Sequence, residues 1–101
     1  MLADLLELVR YHDDQIASRS LHQSLGFKQS VVLYAMYQGE TISNESSPEG
    51  KLLLVLEGRL LVSLTDQTHD VKAGGLISIS AHQSYHLEAV TNCKYLQIEM
   101  V

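Results

Sequence analysis

The sequence predicts an all-β fold, a sandwich or barrel of short strands behind a short N-terminal helix. Three observations lead there. Apolar runs of strand length recur along most of the chain, punctuated by turn residues. Glycines stand in paired or turn-forming positions, Glu57-Gly58 and Gly74-Gly75 among them. The helical spacing of the first residues gives way to short runs at Ile16, and no helical period returns.

Taken in order, Leu2, Leu5, Leu6, Leu8 and Val9 fall at helical intervals, with Asp4 and Glu7 placed to favour the positive end of a helix. The polar run Tyr11 to Gln15 ends that segment, so the chain divides into an N-terminal helical segment, 1–15, and a β domain, 16–101. Strands are expected at Ile16 to Leu21, Lys28 to Tyr37, Lys51 to Glu57, Arg59 to Thr65, His69 to Lys72, Gly75 to Ser80, Tyr85 to Ala89 and Cys93 to Met100. The stretch Ser43 to Gly50 reads as a polar connection. Many short strands at this spacing suggest closure, which removes exposed sheet edges.

Composition sets the outer bounds. A chain of 101 residues, 46% hydrophobic and 19% charged, supports one domain with one core and needs no disulfide. Its single cysteine, Cys93, allows no intrachain bridge, and the opening residues do not read as a secretory leader, so a cytoplasmic setting is expected. The apolar runs are far shorter than the roughly 20 residues a membrane helix needs. Seven Lys and Arg against twelve Asp and Glu, a net charge of -5, offer no basic cluster for nucleic acid.

Two stretches carry the functional signal. Gly39 is followed by five residues, then Glu45, Ser46 and Ser47, three more, Lys51, six more and Gly58. Gly75 is followed by five residues, then Ala81, His82 and Gln83, two more and His86. In these intervals the chain resembles the cupin family. Its first motif runs glycine, five residues, His-x-His, three or four residues, Glu, six residues, glycine. Its second runs glycine, five residues, Pro-x-Gly, two residues and His. The resemblance covers roughly residues 16–100 and is nearest to small single-domain cupins of the RmlC-like, cupin 2 type. It implies a double-stranded β-helix, or jelly roll.

The departures from that pattern bear on function. The resemblance assigns metal ligands, three histidines and a glutamate, to positions held here by Glu45, Ser47, Lys51 and His86, and only His86 is kept. An ammonium at Lys51 would repel a divalent cation by several kcal/mol, on the order of what charges a few ångströms apart feel at an effective dielectric near 20. The usual metal site is therefore expected to be absent, with no cofactor, although a rearranged one using Glu45 and His86 together with His82 or Glu88 stays open. Alternation puts Lys51, Leu53 and Val55 on one face and pairs His86 with Glu88 on another. If Lys51 and His86 both face inward, Glu45, Ser47, Lys51, His86 and Glu88 surround a pocket for a small polar or anionic ligand. The competing reading is a structural ion pair of Lys51 with Glu45 or Glu88 that binds nothing.

Other polar residues signal less. His12, His22 and His69 lack ligand spacing, Tyr34, Tyr37, Tyr85 and Tyr95 fit packing as well as pocket lining, and Cys93 has no basic neighbour but Lys94, on the opposite face. Leu52 to Leu56, apolar on both faces, requires a cover on its outer side, and a homodimer would provide one. Two function classes follow: a non-enzymatic module that binds or senses a small molecule, and a small oxygenase- or isomerase-type enzyme. The second would use rearranged metal ligands, or His86 as general base with Lys51 stabilising an anion.

Overall fold

Alternating burial along nearly every apolar run folds this chain into two facing antiparallel sheets. The computed structural model describes residues 2–44 and 47–100. Among them the strands are β1 (Ile16–Ser20), β2 (Val31–Met36), β3 (Thr41–Asn44), β4 (Gly50–Glu57), β5 (Arg59–Ser63), β6 (Thr68–Lys72), β7 (Leu76–Ile79), β8 (Tyr85–Ala89) and β9 (Cys93–Met100). A short helix, α1 (His22–Leu25), joins β1 to β2. One sheet has the order β1-β2-β9-β4-β7 and the other β3-β8-β5-β6, a jelly roll in which sequence neighbours are repeatedly separated in space.

The main core lies between the sheets. Met36, Leu53, Val55, Leu60, Val62, Leu87, Cys93 and Tyr95 are among its fully buried members. A second core forms on the outer face of the five-stranded sheet, where Val31, Leu33 and Ala35 of β2 pack with Val9 and Leu21, and Leu5, Leu8 and Tyr11 close over them. This accounts for strands apolar on both faces: the N-terminal segment supplies part of the cover the sequence demands.

That segment is less helical than its spacing suggests. It contains a single 3-10 turn at Leu5–Glu7, with no side-chain cap from Asp4. So short a helix is marginal on its own, and its leucines gain more from the sheet than from a longer helical stripe. The Lys94 ammonium donates to the Leu6 carbonyl at 2.6 Å and lies 5.0 Å over the Tyr11 ring, while Tyr11 donates to Glu57 at 2.6 Å.

Two elements went unforeseen. β3 occupies residues taken partly as connection, because it is an edge strand with a single large apolar residue, Ile42, and so carries almost no alternation signal. α1 is one turn, stopped by Gly26 at φ 79°, whose N–H reaches back to the carbonyls of His22 and Gln23. Gly58, at φ 79°, is required twice over at its hairpin, since an added Cβ would lie 2.0 Å from the Asn92 carbonyl oxygen.

Candidate functional site at the Lys51 end of the barrel

One end of the sandwich collects the start of β4, the end of β9 and the start of β8. Lys51 shares the inward face of β4 with Leu53 and Val55 and is only 5% exposed. Its register partner on β9 is Glu99, and Lys51 Nζ stands 3.1 Å from Glu99 Oε1. The Glu99 side chain is 32% exposed, so this ion pair runs from the interior to the solvent. Further along the same inward face, Tyr34 of β2 and Tyr95 of β9 are register partners whose rings stack with centroids 5.0 Å apart.

The electrostatics follow from burial. Desolvation pushes the Tyr34 phenol up from its ordinary pKa, and nearby Tyr85 and Glu99 add to this while Lys51 opposes it. Tyr95 is raised mainly by burial, with Tyr34 next. Both therefore stay protonated and act as neutral donors. The Tyr95 hydroxyl is fully buried and has no hydrogen-bond partner among the described residues. Ser47 and Gln97 are buried as well.

Of the residues expected from the sequence, Ser47 and Lys51 lie in this half of the molecule as buried residues, and Glu45 falls outside the described residues. His86 and Glu88 do not join them. In β8 it is Tyr85, Leu87 and Ala89 that are buried in the core between the sheets, and His86 and Glu88 alternate to the outer face of the four-stranded sheet. There His86 stands between Ser43 and Ser63, its Nδ1 2.6 Å from Ser43 Oγ, and Glu88 stands between Thr41 and Leu61. The expected hollow shared by Lys51 and His86 is corrected accordingly, as is the alternative ion pair with Glu88, for Lys51 pairs with Glu99 instead.

The physical reason is a slip of one residue. The turn glycine with positive φ, 89°, is Gly74, not Gly75. Counted from Gly74, five residues lead to Ser80, the glycine position of the motif falls on His82, itself at φ 65°, and the histidine position falls on Tyr85. A shift of one along a strand exchanges its two faces. The first motif kept its frame, anchored by Gly39 and Gly58, both at positive φ.

Glu99 was missed because parity is local and pairing is not: Gln97 and Glu99 alternate with apolar residues in the last strand, but only the β4–β9 register brings Glu99 to Lys51. Among the described residues no three His, Cys, Asp or Glu side chains converge as a metal would need. The Cys93 thiol is buried and pushed up to about 12, first by desolvation and then by Glu57, so it carries no thiolate near neutrality.

Of the best-formed concavities among the described residues, none is lined by Lys51, Glu99, Tyr34 or Tyr95. A recess of about 290 Å³ at the end of the four-stranded sheet is lined by Ser43, Ser63, Leu64, Ser84, Tyr85 and His86, among others. A groove of about 820 Å³ follows the seam between the edge strands β6 and β7 and includes none of the expected site residues. No helix among the described residues is long and apolar enough to cross a membrane.

Comparison with known proteins agrees with this architecture. A cupin superfamily protein from Desulfitobacterium hafniense superposes with a TM-score of 0.88 at 26% identity, over 96% of this chain and 87% of that one. An RmlC-like cupin protein from Desulfovibrio desulfuricans gives 0.81 at 23% identity, over 99% of this chain and 95% of that one. A cupin 2 conserved barrel domain protein from Leptotrichia buccalis gives 0.85 at 23% identity, over 95% of this chain and 46% of that one. No curated protein matches the chain in sequence. The AraC-like ligand-binding domain profile matches residues 27–101, nearly the whole barrel. With the jelly roll, its two glycine-framed motifs and that match together, the chain belongs to the AraC-like ligand-binding domain family of cupin folds.

Proposed function

We propose that this domain is a non-enzymatic module that binds or senses a small polar or anionic molecule at the Lys51 end of the barrel. Membership of a ligand-binding family supports binding in general. The observation that carries the specific reading is Lys51 itself, a buried ammonium in the motif position where the family resemblance expects a metal-binding glutamate. A carboxylate or similar acceptor would take the place of Glu99 against Lys51 and accept from the Tyr95 hydroxyl. Glu99, already a third exposed, would turn to solvent at small cost. Filling the hydrogen-bonding capacity of Tyr95 adds to affinity, since a buried hydroxyl without a partner costs about 1–3 kcal/mol.

A resident metal does not fit the residues at hand. Ser47, Lys51 and Tyr85 stand where imidazoles and a carboxylate would be needed, and Lys51 adds a positive charge. The enzymatic alternative also loses its general base, because His86 faces away from Lys51. Calorimetric titration with a panel of small carboxylates tests the reading: one should bind, and Lys51→Met should weaken it about tenfold or more. Affinity unchanged by Lys51→Met, or stoichiometric iron, nickel, zinc or manganese in protein purified without chelators, would refute it.

The domain is further proposed to work as a homodimer, within which occupancy would be transmitted. Support comes from the outer face of the five-stranded sheet, where Leu25, Phe27, Val31, Leu96 and Ile98 line an apolar groove of about 230 Å³, and Phe27 is 62% exposed. Sedimentation at high micromolar concentration should give the dimer mass, and Phe27→Lys with Ile98→Lys should give the monomer.

A further inference from the structure

The outward turn of His86 leaves a second polar constellation that the binding site at Lys51 does not use. Across the four-stranded sheet, Ser43 of β3, His86 of β8, Ser63 of β5 and Thr68 of β6 stand in one row of register partners. Ser43 Oγ lies 2.6 Å from His86 Nδ1, and Thr68 donates to Ser63 Oγ at 3.5 Å. That row borders the recess of about 290 Å³, whose walls also include Leu64, Thr65 and Tyr85. Among the described residues, no lining residue carries a formal charge other than the titratable imidazole. Leu64 and Tyr85 also line it, and both pack with the core between the sheets.

We propose that this recess is a second binding site, for a small uncharged molecule that carries a hydroxyl on an apolar body about the size of one ring. The volume sits at the lower limit of the roughly 300 Å³ and above typical of small-molecule pockets, which sets the size. The lining sets the polarity: an ion entering it would lose hydration without meeting an opposite charge, whereas a neutral hydroxyl would not. The imidazole sets the functional group. With Nδ1 tied to Ser43, Nε2 is the ring nitrogen that would meet a ligand in the recess, as a donor in one tautomer and an acceptor in the other. A hydroxyl, both donor and acceptor, satisfies either tautomer, and a carboxylate satisfies only the protonated nitrogen.

Phenol is the probe, followed through the ring resonances of His86 and the methyl resonances of Leu64 in the intact protein. At millimolar concentration it should shift both sets saturably. His86→Ala should weaken phenol about tenfold, the order of one buried hydrogen bond, and Ser43→Ala should weaken it about threefold. Lys51→Met should leave it unchanged, so that this site and the one at Lys51 stand or fall separately. Benzoate should shift the same resonances at least about tenfold more weakly. Shifts that persist in His86→Ala, benzoate as strong as phenol, or no saturable shift of His86 and Leu64 would overturn the proposal, and Ser43→Ala decides the matter should His86→Ala prove unfolded.

Discussion

Lys51 and Lys94 occupy opposite ends of one ladder, each facing a glutamate on the other strand: Lys51 of β4 against Glu99 of β9, and Lys94 of β9 against Glu57 of β4. The chemistry is the same and the outcome is not. Lys51 points between the sheets, near enough to the Tyr34 phenol to oppose the rise in its pKa. A register shift between Val55 and Glu57 places Glu57 opposite Lys94 on the outer face, where Lys94 holds the Leu6 carbonyl at 2.6 Å and the Tyr11 ring at 5.0 Å, with Glu57 at 4.0 Å. The outer lysine is a latch whose donors are spent on the protein's own N-terminal segment. The inner one pairs with a carboxylate that solvent already reaches, and in the function proposed that carboxylate would give way to a ligand's.

The largest effect expected is from truncating the inner lysine. Lys51→Ala leaves a cavity and a half-buried carboxylate without its partner, at a cost of about 3 kcal/mol, whereas Lys94→Ala, whose loss is one charge-assisted hydrogen bond and a cation–π contact, costs about 1–2 kcal/mol. Urea denaturation of both variants gives the two values side by side, and a larger loss for Lys94→Ala would reverse the comparison. Lys51→Met sharpens it, because it keeps the volume and removes the charge: stability should change by less than about 1.5 kcal/mol while carboxylate affinity falls.

A pH series probes both ends together. The phenols of Tyr11, Tyr34 and Tyr95 are all raised in the folded protein, chiefly by burial, with the hydrogen bond to Glu57 next for Tyr11. Above about pH 10 the unfolded chain ionises its tyrosines and the folded one resists, so the unfolded state binds fewer protons and stability falls as pH rises. The contribution is complete below that pH. Thermal unfolding followed from about pH 8 to about pH 11 should show the loss, and Tyr11→Phe should reduce its steepness at the latch end alone. The smallest effect is at Tyr95→Phe, which removes a buried hydroxyl lacking a partner: stability should hold or rise by up to about 1 kcal/mol, and carboxylate affinity should drop. A Tyr95→Phe variant that loses stability and keeps its affinity would place the hydroxyl in the structure rather than in the site.

The residues divide plainly by what each level of information settles. Local pattern determined β8 and β9 to the residue, the hairpin at Glu57-Gly58, the inward face of Lys51, and a need for cover on the outside of β4. These depend on alternation and on glycine at positive φ, which neighbours in sequence dictate. Adjacent glycines made Gly74 and Gly75 interchangeable to the eye, and only the backbone, with Gly74 at φ 89°, chose between them and sent Tyr85 inward and His86 outward. Tertiary structure alone joined Glu99 to Lys51 across 48 residues and Tyr11 to Glu57 across 46. Which face a strand shows follows from a period of two residues, but which strand lies beside it is settled by the packing of a whole sheet, and a single-residue error in the first is enough to carry a side chain from the core to the water.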